Sequence, residues 1–137
     1  MSDQYKTIAA PSEGYYKDKG SKFTGFAIPI FSEEEFKVQL ARIKKEHPDS
    51  GHYCYGFRIG VNNKLYRYSD DGEPSSTAGK PIFGQIQSYD LTNIMIVVTR
   101  YFGGTKLGVG GLITAYRAAA KEALENAKII NRTVDNV

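Results

Sequence analysis

The sequence predicts an α+β domain, a mixed β-sheet with helices packed on one face, and three observations carry that expectation. Ile94-Met95-Ile96-Val97-Val98-Thr99 is almost continuously apolar, as a central strand buried on both faces must be. Ser32 opens a helix with its own start signals and a single apolar stripe. Residues 103–111 hold five glycines, and they join the apolar strand to an alanine-rich helix.

The elements follow in chain order. Tyr15 to Phe23 alternates imperfectly and breaks at Gly20; Phe23 to Phe31 continues as a β-prone run, with Pro29 marking an edge or a bend. Ser32 and Glu35 form a capping box, Phe31 and Phe36 occupy the staple positions, and Glu33, Glu34 and Glu35 suit the positive end of the helix dipole. Phe36, Leu40 and Ile43 then recur at helical spacing until Pro48 stops the helix near His47. His52 to Gly60 and Leu65 to Tyr68 read as two strands joined by a turn at Asn62-Asn63. Residues 69–79 are dense in turn formers and lead into a short helix with Pro81 in its first turn and Ile82, Phe83 and Ile86 facing inward. After the glycine turn, Leu112, Tyr116, Ala119, Ala120, Ala123 and Ala127 share a helix face small enough to approach a sheet closely, and Ile129-Ile130 opens a short final strand.

A chain of 137 residues fits one domain, expected to span 1–137 with no linker or repeat. The single cysteine, Cys54, can make no internal disulfide and is expected to have no disulfide-linked partner, which points to a reducing compartment. No run of residues approaches a membrane span, and Met1-Ser2-Asp3-Gln4-Tyr5 lacks a signal-peptide pattern, so the expected location is cytoplasmic, with no membrane partner. The net charge is only +3, but it is unevenly placed. Residues 91–132 carry six cations against two acids, whereas residues 1–50 balance at eight against eight. An anionic partner is therefore expected toward the C-terminal half.

Three features could carry chemistry. The glycine turn meets a helix N-terminus, where unpaired N–H groups and the helix dipole favour phosphate or carboxylate; Arg100 precedes it and Lys106 lies inside it. It matches neither a Walker A loop nor a dinucleotide fingerprint, because Ile113 stands where the last glycine is needed. Close packing of the helix on the sheet is its alternative use. The acidic turn of Asp70, Asp71 and Glu73 could bind a divalent cation, but it lacks a complete calcium-loop pattern; capping of the next helix, with Ser75, Ser76 and Thr77, is the plainer use. His52 could act as a base beside that cluster or simply hold structure, and Tyr53, Tyr55, Tyr66 and Tyr68 could offer stacking faces to nucleobases.

His52-Tyr53-Cys54-Tyr55, the run Ser69-Asp70-Asp71-Gly72-Glu73-Pro74, Thr77-Ala78-Gly79-Lys80-Pro81, Val97 through Gly104, and Lys106 through Leu112 occur in an order and spacing that resemble the YigZ/IMPACT family over about residues 15–127. The resemblance implies a left-handed βαβ unit like that of elongation factor G domain IV. It also implies a role in translation regulation, with RNA, the ribosome or a translation factor as partner. It implies that Arg100, Gly103, Gly104, Lys106, Gly108, Gly110 and Gly111 form an anion- or nucleic-acid-binding surface, sharing a cleft with His52, Asp70, Asp71, Glu73, Thr77 and Lys80. This chain is expected to be too short for the extra N-terminal domain of eukaryotic members or the C-terminal ferredoxin-like domain of bacterial ones. Two residues depart from the family pattern: Ser76 stands where glycine is usual, and Thr114 where arginine is usual. A binding module is the first expectation, with no cofactor, no metal and no catalytic residue assigned. An enzyme acting on a phosphorylated or nucleotide-like small molecule is the alternative, and a module that binds only protein is the third.

Overall fold

The computed structural model describes residues 4–62 and 64–134; Asn63, half of the expected Asn62-Asn63 turn, lies outside the described residues. The chain runs β1 (Gln4–Ile8), β2 (Ser12–Asp18), β3 (Ser21–Pro29), α1 (Glu33–Glu46), β4 (His52–Ile59), β5 (Leu65–Ser69), α2 (Gly79–Ser88), β6 (Ile94–Tyr101), α3 (Gly108–Glu125) and β7 (Ile129–Thr133). Lys19 and Gly20 both take positive φ, 47° and 83°, and so make the two-residue turn that matches the twist of the β2–β3 hairpin. β6 occupies the middle of a five-stranded sheet ordered β2-β3-β6-β4-β5, as its unbroken apolar run requires. β3 and β4 both run antiparallel to β6, so β3, α1 and β4 form a βαβ crossover with β6 inserted between its strands.

The α+β class of the expectation holds, and two details differ from it. The sheet is antiparallel throughout rather than mixed. The helices also cover both faces. Ile94, Ile96 and Val98 pack with Phe23, Cys54 and the inward stripes of α2 and α3. Met95 and Val97 point the other way and pack with Ile28, Phe57, Phe36 and Ile43, so α1 covers the opposite face. A helical stripe says that a helix is half-buried but not on which side of a sheet it lands. A sixth and a seventh strand, β1 and β7, pair with each other in a small separate sheet. Ile129-Ile130 was expected to begin a strand and does; β1 was not expected.

Local chemistry explains the helix ends. Ser32 accepts the Glu35 N–H at 3.2 Å, and the Glu35 carboxylate accepts the Phe31 N–H at 3.1 Å. Phe36 is buried against Tyr55 and Phe57, while Phe31 stays half-exposed under the Arg132 guanidinium. Among the described residues no helix is long and apolar enough to cross a membrane.

α3 lies unusually close to the sheet, and the sheet is built to receive it. Gly14 and Gly25 pair directly across the β2–β3 ladder and leave a bare patch beneath the alanine face of α3. A Cβ on Gly25 would stand 2.6 Å from the Ala119 carbonyl oxygen, and one on Gly14 would stand 2.2 Å from the Ala123 nitrogen. Backbone cannot yield as a flexible side chain can, so Gly25→Ala is expected to cost about 2–3 kcal/mol in urea unfolding. Gly84 of α2 has no described atom within 4 Å of its added Cβ. Gly84→Ala should therefore be neutral or gain up to about 1 kcal/mol. Equal losses at the two positions would contradict the packing described.

Candidate functional site

The site begins with a register pair. His52 of β4 sits directly opposite Arg100 of β6, and both share the sheet face covered by α2 and α3. The loop after β5 then folds back over them, because two aspartates are spent on backbone N–H groups. Asp70 accepts from Ser76 at 2.9 Å, from Ala78 at 3.1 Å and from Gly79 at 2.8 Å, so it gathers the loop and caps α2. An ionised carboxylate with two oxygens can serve all three donors, which the expected hydroxyl caps could not. Asp71 accepts from the Tyr53 N–H at 2.7 Å, and its carbonyl faces His52 Nδ1 at 2.7 Å. A carbonyl only accepts, so the His52 Nδ1 carries the proton of that bond and Nε2 is turned toward Glu73.

This loop delivers Glu73 into the interior between the sheet and α3. Its carboxylate takes two hydrogen bonds from Arg100 Nη1, at 2.9 and 2.8 Å, and one from the Tyr116 hydroxyl. His52 Nε2 stands 3.6 Å from the same carboxylate. The side chains of Glu73 and Arg100 are only 3% and 10% exposed. The Arg100 guanidinium lies 5.8 Å from the centre of the Phe23 ring and 5.5 Å from that of Phe102. Its Nε is buried without a hydrogen-bond partner among the described residues. Asp70, Asp71 and Glu73 thus diverge to three separate tasks instead of converging as a cation site, and both Glu73 oxygens are already engaged.

Cys54 lies beside this network, its thiol donating to the Asp70 carbonyl at 3.1 Å. Burial pushes the Cys54 thiol up, and the charge of Glu73 pushes it further, against an opposing hydrogen bond with Tyr116. Burial also raises the Tyr116 phenol, reinforced by Cys54 and Glu73. Both groups therefore stay protonated at neutral pH, which makes Tyr116 a donor and Cys54 a packed thiol rather than a nucleophile.

Above Arg100, Glu73 and His52 opens a cleft of about 470 Å³, walled by Gly51, Pro74, Phe102, Lys106, Leu107, Gly108, Val109 and Leu112. The glycine turn supplies one side of it and divides into two parts. Gly103 is a packing residue: a Cβ there would stand 2.1 Å from the Gly20 carbonyl carbon, and its N–H donates to Ser21 Oγ at 3.0 Å. The other part is open. Gly104 and Gly108 take φ of 92° and 75°, and α3 starts at Gly108 with no side-chain cap. Gly110 lies in the first turn, with nothing beyond its own stretch of helix within 4 Å of the position a Cβ would take. Lys106 is exposed at the rim.

The structure brings His52, Glu73, Arg100, Lys106 and Gly108 to one cleft, with Asp70, Asp71 and Thr77 holding the loop behind them. Gly104, Gly110 and Gly111 belong to the same turn and helix start. Lys80 stands apart, beside Tyr66 and Tyr68. Thr114 also lies elsewhere, in a groove between α2 and α3 with Arg117 and Lys121, so a cation missing there does not weaken this cleft. Ser76 takes φ of 64°, the left-handed conformation that suits glycine, so the loop keeps its shape in spite of the substitution. Sequence reasoning missed Phe102 and Tyr116 as site residues. Tyr116 carried a signal: it is the one hydroxyl in an alanine face, and a buried phenol needs a partner.

The sequence model of the Impact N-terminal domain matches residues 19–124. The chain belongs to the Impact N-terminal domain family. It is 36% identical over 132 residues to the IMPACT family member YvyE of Bacillus subtilis, covering 96% of this chain and 61% of that protein. It is 35% identical over 127 residues to the IMPACT family member YigZ of Escherichia coli, covering 91% and 62%. This Impact N-terminal domain chain thus spans less than two-thirds of the length of these relatives. A crystal structure of a hypothetical protein superposes with a TM-score of 0.92 at 32% identity, covering 97% of this chain and 66% of that one. Yih1, described as a two-domain translational regulator, superposes with a TM-score of 0.53 at 24% identity, covering 89% and 47%, which shows likeness of fold.

Two predictions follow from the buried network. Removing Glu73 strands the Arg100 charge, so Glu73→Ala should lose about 3–5 kcal/mol in denaturant unfolding, and a loss below about 1 kcal/mol would contradict the geometry. The raised Cys54 and Tyr116 values fix a pH trend. The unfolded chain releases these protons near about pH 8.5 and 10, whereas the folded chain retains them. As pH rises through those values the unfolded state binds fewer protons than the folded state, so stability falls; below them the contribution is complete. Cys54→Ala should flatten the first part of that decline, measured as the urea midpoint between about pH 8 and 9.5.

Proposed function

We propose that this domain is a binding module for the phosphates of RNA, working in translational control. One observation carries the reading: the uncapped first turn of α3 borders an open cleft, and Gly110 within that turn has no neighbour outside its own helix that requires a glycine. Each glycine within a helix costs roughly 0.5–1 kcal/mol relative to alanine, so Gly110 weakens the helix start without filling any contact. A bare backbone at a helix N-terminus lets an anion approach the free N–H groups. Lys106 at the rim makes no ion pair among the described residues, and it adds a mobile cation. Arg100 lies beneath, its charge answered by Glu73, so the floor is balanced and the cation offered to a ligand is Lys106. Phe102, Leu107, Val109 and Leu112 give the cleft apolar walls beside those charges. The translational setting follows the family resemblance; a fold neighbour, Yih1, is described as a translational regulator.

Phosphate contact predicts a steep dependence on salt. RNA binding should weaken several-fold between low and physiological salt, and Lys106→Ala should lower both the affinity and the salt slope. Gly110→Ala should separate binding from folding: the helix start gains about 0.5–1 kcal/mol of stability, while RNA affinity falls. Fluorescence anisotropy and urea unfolding measure the two quantities. No RNA binding at low salt, or binding indifferent to both substitutions, would contradict the reading.

A further inference from the structure

A second surface lies on the same sheet face, on the outer strand. Tyr66 and Tyr68 of β5 stand directly opposite Arg58 and Gly56 of β4, and residues opposite one another in an antiparallel ladder share a face. The reason for two tyrosines here is visible beneath them. Phe83 of α2 is buried, and both rings stack on it, at 5.1 Å and 21° for Tyr66 and at 5.6 Å and 26° for Tyr68. Gly56 lets Phe83 sit this close, since a Cβ there would stand 3.1 Å from the Phe83 Cα. The rings are thus fixed from below, yet 57% of Tyr66 and 44% of Tyr68 remain exposed. Large aromatic area held outward on an edge strand costs solvation and contributes nothing more to the core.

The rim of this surface has one sign of charge. Arg58, Lys64 and Lys80 line a concavity of about 380 Å³ with the two tyrosines, Phe83 and Gln87, and no carboxylate lines it among the described residues. Arg58 is anchored by its Nε bond to the Leu91 carbonyl at 2.8 Å and lies 3.8 Å from exposed Asp90. Lys64 and Lys80 make no ion pair among the described residues. Rigid, upward-facing aromatic rings edged by lysines suit a ligand with flat bases and a negative backbone. A duplex hides its base faces in the stack, so only an unpaired strand can offer them.

We infer that Tyr66 and Tyr68 form a stacking platform for the bases of a single-stranded nucleic acid, with Lys64 and Lys80 holding its phosphates. The inference takes its ligand class from the RNA reading above but rests on a separate surface. Gly56 and Arg58 are four and six residues along β4 from His52, so the platform begins about 13–20 Å from the cleft on the same face. A strand of about 12 nucleotides is long enough to meet both.

The test uses fluorescence anisotropy at low salt with a labelled single-stranded RNA of about 12 nucleotides and a duplex of the same length. The single strand should bind more tightly. Tyr66→Ala with Tyr68→Ala should weaken it at least about tenfold, whereas Tyr66→Phe with Tyr68→Phe should retain affinity because the stacking faces remain. Lys80→Glu, on an exposed helix position, should weaken binding without touching the rings. The chain has no tryptophan, so Tyr66→Trp supplies a single reporter whose fluorescence should be quenched as a base stacks on it. Equal affinity for strand and duplex, unchanged binding in the alanine pair, or an unquenched reporter at saturation would overturn the platform. If Lys106→Ala weakens binding while the tyrosine variants do not, the platform fails and the cleft stands. If the tyrosine variants weaken binding and Lys106→Ala does not, the cleft fails and the platform stands.

Discussion

The buried pair between Glu73 and Arg100 is the constraint on which the site depends. Two charges removed from water are tolerable only when each is answered, and here Arg100 donates twice to Glu73 while Tyr116 donates once more. That requirement joins three distant parts of the chain: the loop after β5, the end of β6 and the first half of the α3 stripe. It explains why Asp70 and Asp71 are spent on backbone groups, since the loop must present Glu73 at a fixed depth. It also explains why Tyr116 interrupts an otherwise alanine-rich helix face.

The same pair shapes what the cleft can do. With both Glu73 oxygens engaged, the floor is electrostatically balanced, and the free positive potential comes from the rim at Lys106 and from the uncapped start of α3. Among the described residues the carboxylates nearest His52 are both engaged, Glu73 by Arg100 and Tyr116 and Asp71 by the Tyr53 N–H. The bare patch of Gly14 and Gly25 contributes indirectly: by letting α3 sit close to the sheet, it fixes where the helix start meets the cleft.

Much of this was legible in the sequence. The unbroken apolar run of β6, the Ser32–Glu35 cap and the alanine face of α3 each report a local requirement, and each element formed where expected. The rest depends on partners far away in the chain. β1 is a short strand whose partner residues lie more than a hundred positions on, Gln4 opposite Thr133, so no local pattern marks it. The side of the sheet chosen by α1 is likewise a property of the crossover, not of its stripe. A strand-end arginine gives no sign of its burial, and the pairing of Arg100 is visible only through the return of Glu73 from 27 residues earlier. The glycine turn was read as one feature, whereas Gly103 serves packing against Gly20 and Gly110 leaves space open.

We propose that the first turn of α3 is kept bare to receive a phosphate. The most direct measurement is an amide-resolved NMR titration of the ¹⁵N-labelled domain with a short RNA at low salt. The account predicts that the N–H signals of Gly108, Val109, Gly110 and Gly111 move together with those of Lys106 and with the His52 ring. A titration that leaves those amides unmoved while RNA binds elsewhere, or that moves nothing at all, would contradict it.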